Sequence, residues 1–371
     1  MSNSNLKVPF NDLTRIHKPL LAEFQNSLEQ IVLDSNFVLG KEVENFEKSL
    51  SSIENCKHAI CVNSGTSALE LALRSCDVGV GDEVITTSLT FVATCFSIVQ
   101  VGAVPVLVDI EFSTGLMNMY LLKSAITTKT KALVFVTLHG RVDHLAELNQ
   151  FCKDNGLTFI IDAAQSHLGN FETMPQTQYC DVATLSFYPG KNLGALGEGG
   201  AVLTNSEVIS ERIKVMRDWG AVEKYTHTEW GGNFRLEPIQ AAFLNIKIRN
   251  LFDWTNARQK IALVYNSMIS PILLMDKVSL QGSHVQHIFA ITTPNRELFI
   301  RRFKELNIGY GLHYPNAIHQ NLWYRDRVKV SGVLVNAEKF AEQTLSLPIF
   351  PEQTEEEVER VIQVVNELSP E

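Results

Sequence analysis

Short apolar runs alternate with amphipathic stretches along the first two thirds of the chain. Ala59–Val62, Glu83–Thr87, Val104–Asp109, Ala132–Thr137, Thr158–Asp162, Asp181–Ser186 and Gly199–Thr204 are rich in Val, Ile, Leu, Phe and Thr and are bounded by turn residues, which predicts seven strands. Between them, Ala68–Arg74, the segment running to about Val101, Asp143–Asn155 and Ser206–Trp219 read as helices. Ahead of the first strand, Leu20/Leu21/Phe24/Leu28/Ile31 and Val43/Phe46/Leu50 mark two more helices, split by the turn-like Asp34–Gly40. Such alternation predicts an α/β fold with a mostly parallel sheet between helices, carrying an N-terminal arm.

Beyond residue 206 the texture changes. Gly220–Phe234 is polar and rich in Gly, Thr, His and Trp, and Leu236 to about Tyr265 is helical. From Pro271 onward, strand-like runs (His287–Thr293) mix with helices (Glu297–Leu306 and Glu355–Leu368). This predicts a smaller C-terminal α+β domain over 251–371, after an arm and large domain over 1–250.

The net charge of −9 and pI near 5.6 argue against nucleic acid or anionic membrane as the main partner, so an anionic ligand needs a local site. The six cysteines fall in the first half without a C-x-x-C pair and read as thiols of a reducing compartment, with no metal site. Met1–Lys7 lacks the apolar core of a leader, and no run approaches the ~20 apolar residues of a membrane span. The expected location is cytoplasmic.

Four strand ends carry candidate chemistry. Lys191 is the one charge in the otherwise uncharged Thr184–Gly197, and desolvation there would lower its pKa toward the nucleophilic amine that a Schiff base requires. Asp162 ends an apolar strand at the carboxyl edge, where open α/β sheets bind ligands and where a carboxylate needs a partner; a pyridinium nitrogen is one, a helix cap another use. Gln165 follows within reach of a ring hydroxyl. Asn63–Ser67 joins the first strand to a helix, so its amides together with Thr66 and Ser67 suit a phosphate, although a plain N-cap reads equally well. Phe91 sits at the next junction, where an aromatic can stack on a flat cofactor or fill the core.

With Val8-Pro-Phe-Asn-Asp-Leu13, Phe37–Glu44, Asn63-Ser-Gly-Thr-Ser-Ala-Leu69, Gly81–Ile85, Asp162-Ala-Ala-Gln165, Ser186-Phe-Tyr-Pro-Gly-Lys-Asn-Leu193 and Leu345-Ser-Leu-Pro348, the chain resembles the DegT/DnrJ/EryC1/StrS family of nucleotide-sugar aminotransferases over nearly its whole length. The resemblance implies a type I aminotransferase fold, pyridoxal 5'-phosphate (PLP) as cofactor and a homodimer with shared active sites. Lys191 would hold the cofactor and move the proton; Asp162 would meet the ring nitrogen, Gln165 the 3-hydroxyl, and Phe91 the ring face. Thr66, Ser67 and Ser186 would hold the phosphate, joined by Asn233 from the partner subunit through Asn233-Phe-Arg-Leu236. Tyr188, His227, His313 and Tyr314 are the candidates for sugar or nucleotide contact.

The implied reaction carries an amino group from an amino acid, usually glutamate, to a keto group of a nucleotide-linked sugar. Leu312-His-Tyr-Pro315 and the Tyr188–Gly190 context look more like members that aminate C3 than C4. Related dehydratases carry histidine at the lysine position, so Lys191 favours transamination. His139 in place of an aromatic residue, Glu198 in place of aspartate, and Asn316-Ala-Ile after His-Tyr-Pro depart from the family pattern on the sugar side. A dehydratase or cyclitol aminotransferase of the same fold, and a non-catalytic PLP-binding regulator, stand as alternatives.

Overall fold

The computed structural model describes residues 6–369. Met1–Asn5, the start of the stretch read above as lacking a leader, lies outside the described residues. The apolar runs form one sheet: β1 His58–Val62, β2 Glu83–Thr87, β3 Val104–Val108, β4 Thr130–Val136, β5 Thr158–Asp162, β6 Val182–Ser186 and β7 Gly200–Thr204. The spatial order is β1-β7-β6-β5-β4-β2-β3, with a two-residue eighth strand, Lys329–Val330, added beside β3 from the C-terminal third. Neighbours from β6 through β3 run parallel, while β7 lies antiparallel to both β1 and β6. This settles the direction of Gly199–Thr204, which the sequence left open.

Both faces of the sheet are covered, which is why its strands read as nearly continuous apolar runs without clean alternation. Ile85, Val108, Leu133, Phe135, Phe159, Ile161, Leu185 and Leu203 point to one face, against Val43, Phe46 and Leu50 of the helix Lys41–Ile53 and against Leu145 and Leu148 of Leu145–Asp154. Residues one step out of phase, including Ile60, Val62, Val182 and Val202, point to the other face, where Gly65–Ser75 and Glu207–Arg217 bury Leu71, Ala72, Ile213 and Met216.

A separate apolar cluster forms in the C-terminal third. The antiparallel strands Phe289–Thr292 and Thr344–Leu347 pack on Phe299 and Phe303 of Arg296–Glu305, on Val361 and Val365 of Glu355–Glu367, and on Tyr265 of Leu251–Met268. Val8 of the N-terminal segment joins this cluster, whereas Ala317, Ala337, Phe340 and Ala341 pack into the core of the large sheet.

Two local readings change. The helical run from Leu236 is interrupted: Pro238–Lys247 and Leu251–Met268 are joined by a single 3-10 turn at Ile248–Asn250. The polar stretch after residue 220 holds a small hairpin, Ala221–Glu223 with Thr226–His227, whose exposed side chains give no apolar pattern to read. The six cysteines are free; Cys61, Cys95 and Cys152 are buried and the other three half-buried. Among the described residues, no helix is long and apolar enough to cross a membrane, and no cluster of His, Cys, Asp and Glu has the form of a metal site.

Candidate active site

Most of the predicted residues converge on the carboxyl edge of the parallel strands. Asp162 ends β5 and is 6 % exposed. Its Oδ2 accepts from Thr94 Oγ1 at 2.8 Å and its Oδ1 from the Ala164 amide at 3.2 Å. No cation lies within ion-pairing distance among the described residues; Lys191 acts on it only at longer range. Burial raises the Asp162 pKa, against the pull of Thr94, the Ala164 amide and Lys191. A buried carboxylate held by two donors but lacking a counter-charge fits a cationic ring nitrogen.

Lys191 follows β6 in a tight loop, its amide donating to the Tyr188 carbonyl at 2.9 Å. Asn192 anchors the next position, donating through Nδ2 to the Val285 carbonyl at 3.1 Å and meeting His287 Nδ1 at the same distance. Burial lowers the Lys191 pKa from 10.5 to about 8, with Asp162 opposing the fall. Lys247 is a second buried lysine brought to about 8 by burial, but its Nζ is engaged by the Gly194 carbonyl and by His17 Nε2. No hydrogen bond occupies Lys191 Nζ among the described residues, so of the two amines it is the one with a lone pair to offer.

The helix that follows the phosphate turn starts three residues earlier than the sequence suggests. The helix begins at Gly65, not Ala68, and Ser64 is its cap, accepting from the Ser67 amide at 3.0 Å. Ser67 Oγ is 2.9 Å from Ser64 Oγ, so this hydroxyl is partly engaged within the turn. The Thr66 carbonyl accepts from Ser97 Oγ, and no partner occupies its hydroxyl among the described residues. Ser186 closes the other side: a Cβ on Gly65 would lie 2.7 Å from Ser186 Cβ. The amides at the N-terminus of the 11-residue helix Gly65–Ser75, together with hydroxyls on both sides, form a cradle suited to a phosphate. Gly65→Ala is expected to cost about 1–3 kcal/mol of stability by forcing the turn away from Ser186, read as a lower urea midpoint at unchanged m-value.

Phe91 caps the helix Val92–Gln100 and keeps an exposed face (54 %), with the Tyr314 ring 5.7 Å away. Its exposure disposes of the core reading. Gln165 is fixed from two sides: Oε1 accepts from the His139 amide at 2.5 Å, and Nε2 donates to Tyr314 Oη at 3.0 Å. His139 itself is fully buried at φ 62° and approaches the His313 carbonyl through Nε2 at 3.1 Å. His313 stacks on Phe10 and bonds Ser346 through Nδ1 at 2.8 Å; burial, then Lys191, lowers its pKa to about 4, so it is neutral. Tyr188 is exposed beside Ser186, while Glu198 and Asn316, two of the departures from the family pattern, are exposed.

Two predicted residues stand apart. Asn233 is joined to the phosphate turn only by its main chain, through Asn63 Nδ2 at 3.1 Å, and its side chain is exposed. His227 sits on the exposed hairpin, bonded to the Trp219 carbonyl at 2.9 Å, and makes no hydrogen bond to the other site residues among the described residues. The sequence reading missed Ser64, Thr94, Asn192 and the His139 contact to Gln165. Ser64 was legible as the Ser three residues before Ser67; the others depend on pairings distant in sequence.

The profile of the DegT/DnrJ/EryC1/StrS aminotransferase family matches residues 20–366. A pleiotropic regulatory protein of Geobacillus stearothermophilus is 35 % identical over 98 % of this chain and 99 % of its own. The dTDP-3-amino-3,4,6-trideoxy-alpha-D-glucose transaminase of Streptomyces venezuelae is 35 % identical over 97 % of this chain and 96 % of its own. The solved structure of NtdA from Bacillus subtilis with bound cofactor PMP superposes with a TM-score of 0.90 at 26 % identity, covering 98 % of this chain and 86 % of that one. The fold is the type I aminotransferase fold, and the protein is a PLP-dependent transaminase. The chain belongs to the DegT/DnrJ/EryC1/StrS aminotransferase family.

Proposed function

We propose that the protein moves an amino group from L-glutamate to the C3 keto group of a nucleotide-linked sugar, working as a homodimer with shared active sites. The observation that carries this reading is the Lys191 amine, brought by burial to about pKa 8, on the same sheet edge as the buried carboxylate of Asp162. Bound PLP supplies an electron sink and a carrier for the amino group. The residues of the chain do the rest. Asp162 presents its charge to the ring nitrogen, Gln165 reaches the 3-hydroxyl, and Phe91 offers its exposed face to the ring. The helix amides, Thr66, Ser67 and Ser186 would hold the phosphate, and Lys191 Nζ would take up and return the substrate proton. Only the neutral amine can accept that proton, which is why its lowered pKa suits neutral pH.

The exposed Asn233 side chain and the exposed hairpin carrying His227 support a dimer in which each reaches the partner's site. Tyr314, whose ring lies 5.7 Å from that of Phe91, its neighbour His313 and the exposed Tyr188 would meet the sugar. C3 is supported by the name of the Streptomyces relative, a 3-amino sugar transaminase. The two apolar cores support a division of the chain near residue 250, the N-terminal segment and residues 317–341 crossing it. The regulatory name of the Geobacillus relative favours a second role without excluding turnover.

The test is a matched assay with glutamate and nucleotide-linked 3-keto and 4-keto sugars, the aminated carbon read by NMR. Amination of the 3-keto sugar alone supports the reading; amination of the 4-keto sugar alone, or loss of water without amination, contradicts it. A pH test follows from Lys191. Its neutral fraction rises about tenfold per pH unit below a pKa of about 8 and levels above it. The rate at which apoprotein takes up PLP is therefore expected to climb with pH and flatten near 8, followed by absorbance.

A further inference from the structure

The turn that presents Phe91 also delivers two buried threonines to Asp162. Thr94 Oγ1 lies 2.8 Å from Asp162 Oδ2 and 2.9 Å from Thr90 Oγ1. Thr90, Thr94 and Asp162 are 3 %, 1 % and 6 % exposed. An ionised carboxylate can only accept, so Thr94 donates to Asp162, and its own oxygen is then free to accept the Thr90 proton. The chain of donors therefore runs in one direction, from Thr90 through Thr94 to the carboxylate.

We propose that Thr94, backed by Thr90, is a positioning residue that keeps Asp162 ionised and aimed at the ring nitrogen of the bound cofactor, and so sets the protonation of that nitrogen. The proposal rests on the reading of Asp162 given above. Three other titratable groups act on the carboxylate: Lys191 favours its charge, while Cys95 and Tyr314 are themselves made harder to ionise by it. None of these three hydrogen-bonds to it. Thr94 is thus the side chain that donates to Asp162 among the described residues, the second oxygen being served by the Ala164 amide.

A hydrogen bond to a charged acceptor in a low-dielectric site stabilises the ionised form and strengthens its neighbours in series. Without it, Oδ2 is left buried and unpartnered, and the proton shared between the carboxyl and the ring nitrogen shifts toward the carboxyl. Phe91 and Thr94 belong to one turn, the Thr94 amide bonding the Phe91 carbonyl at 3.2 Å. One backbone segment therefore fixes both the face of the ring and the acidity of its nitrogen.

The test compares Thr94→Val, which keeps shape and removes the donor, with Thr94→Ser, which keeps the donor. Protein loaded with PLP labelled with nitrogen-15 in the ring is read by NMR, and PLP affinity is measured by fluorescence titration of the apoproteins. The wild type and Thr94→Ser are expected to show the protonated ring signal. Thr94→Val is expected to move toward the unprotonated signal and to bind PLP about tenfold more weakly, the scale of one charge-assisted bond. A folded Thr94→Val with the wild-type signal overturns the proposal, as does a Thr94→Ser that behaves like the valine variant.

Should Thr94→Val fail to fold, Thr90→Val gives the same decision: a smaller shift in the same direction supports the relay, and an unchanged signal overturns it. Asp162→Asn separates this proposal from the reading it rests on. An unchanged ring signal in that variant sinks the role of Asp162 itself, whereas a moved signal there beside an unmoved one in Thr94→Val sinks only the role of Thr94.

Discussion

Lys191→Ala is expected to lower transamination by roughly 10²–10⁴-fold, the range that a positioned proton-transferring group supplies. The loss is chemical, because among the described residues the amine makes no hydrogen bond that holds the fold together. Burial disfavours its charge, to the extent of bringing its pKa to about 8, so removing it relieves a cost in the apoprotein at neutral pH. Thermal unfolding of apo Lys191→Ala is therefore expected to stay within about 1 kcal/mol of wild type, the two proteins differing in turnover and not in folding. A large fall in melting temperature together with retained activity would mean that Lys191 is a structural amine. Lys247→Ala is expected to do the reverse, since that amine ties His17 to the Gly194 carbonyl and is 2 % exposed.

The second large effect belongs to Asp162. Asp162→Asn preserves shape and removes the charge at the end of β5. The stabilisation of a cationic ring is lost, and turnover is expected to fall about 10²–10³-fold, as when a preorganised electrostatic partner is deleted from an active site. A second consequence can be read without turnover. The Asp162 charge is what opposes the fall in the Lys191 pKa, so without it the amine titrates below about 8. The pH at which PLP uptake levels off should move down in Asp162→Asn and stay in place in a variant outside the site. An unchanged levelling pH in Asp162→Asn would show that the two groups do not sense one another.

The strand ends were legible because each combines an apolar run, which places a strand inside the sheet, with one polar residue at its carboxyl edge. Asp162 and Lys191 stand out for that reason and Phe91 as the aromatic residue at a strand-to-helix junction, and the structure brings all three to one edge. What escaped is what chain folding brings from elsewhere. Thr94 reads as one more hydroxyl in a first helical turn until β5 is placed beside it. His139 reads as a departure on the sugar side, yet its main-chain amide is what holds Gln165.

The helix start at Gly65 was misplaced because Asn63–Ser67 contains several residues able to cap, and the Ser67 amide donating to Ser64 Oγ shows which one does. The eighth strand was illegible for a plainer reason. Lys329–Val330 is two residues long and exposed, so its pairing with β3 leaves no pattern in the sequence. The crossing of residues 317–341 onto the large core was likewise hidden, since Ala317, Ala337, Phe340 and Ala341 are apolar residues that either core would accept.

The central claim is that Lys191 is the amine that holds the cofactor, and peptide mapping after borohydride reduction tests it most directly. The holoenzyme is reduced, digested and read by mass spectrometry. The account predicts that the cofactor mass is fixed on the peptide containing Lys191, and that prior addition of glutamate abolishes the labelling. Labelling of Lys247, the other buried amine brought to about pKa 8, or no labelling of any lysine in a protein that binds PLP, would contradict it.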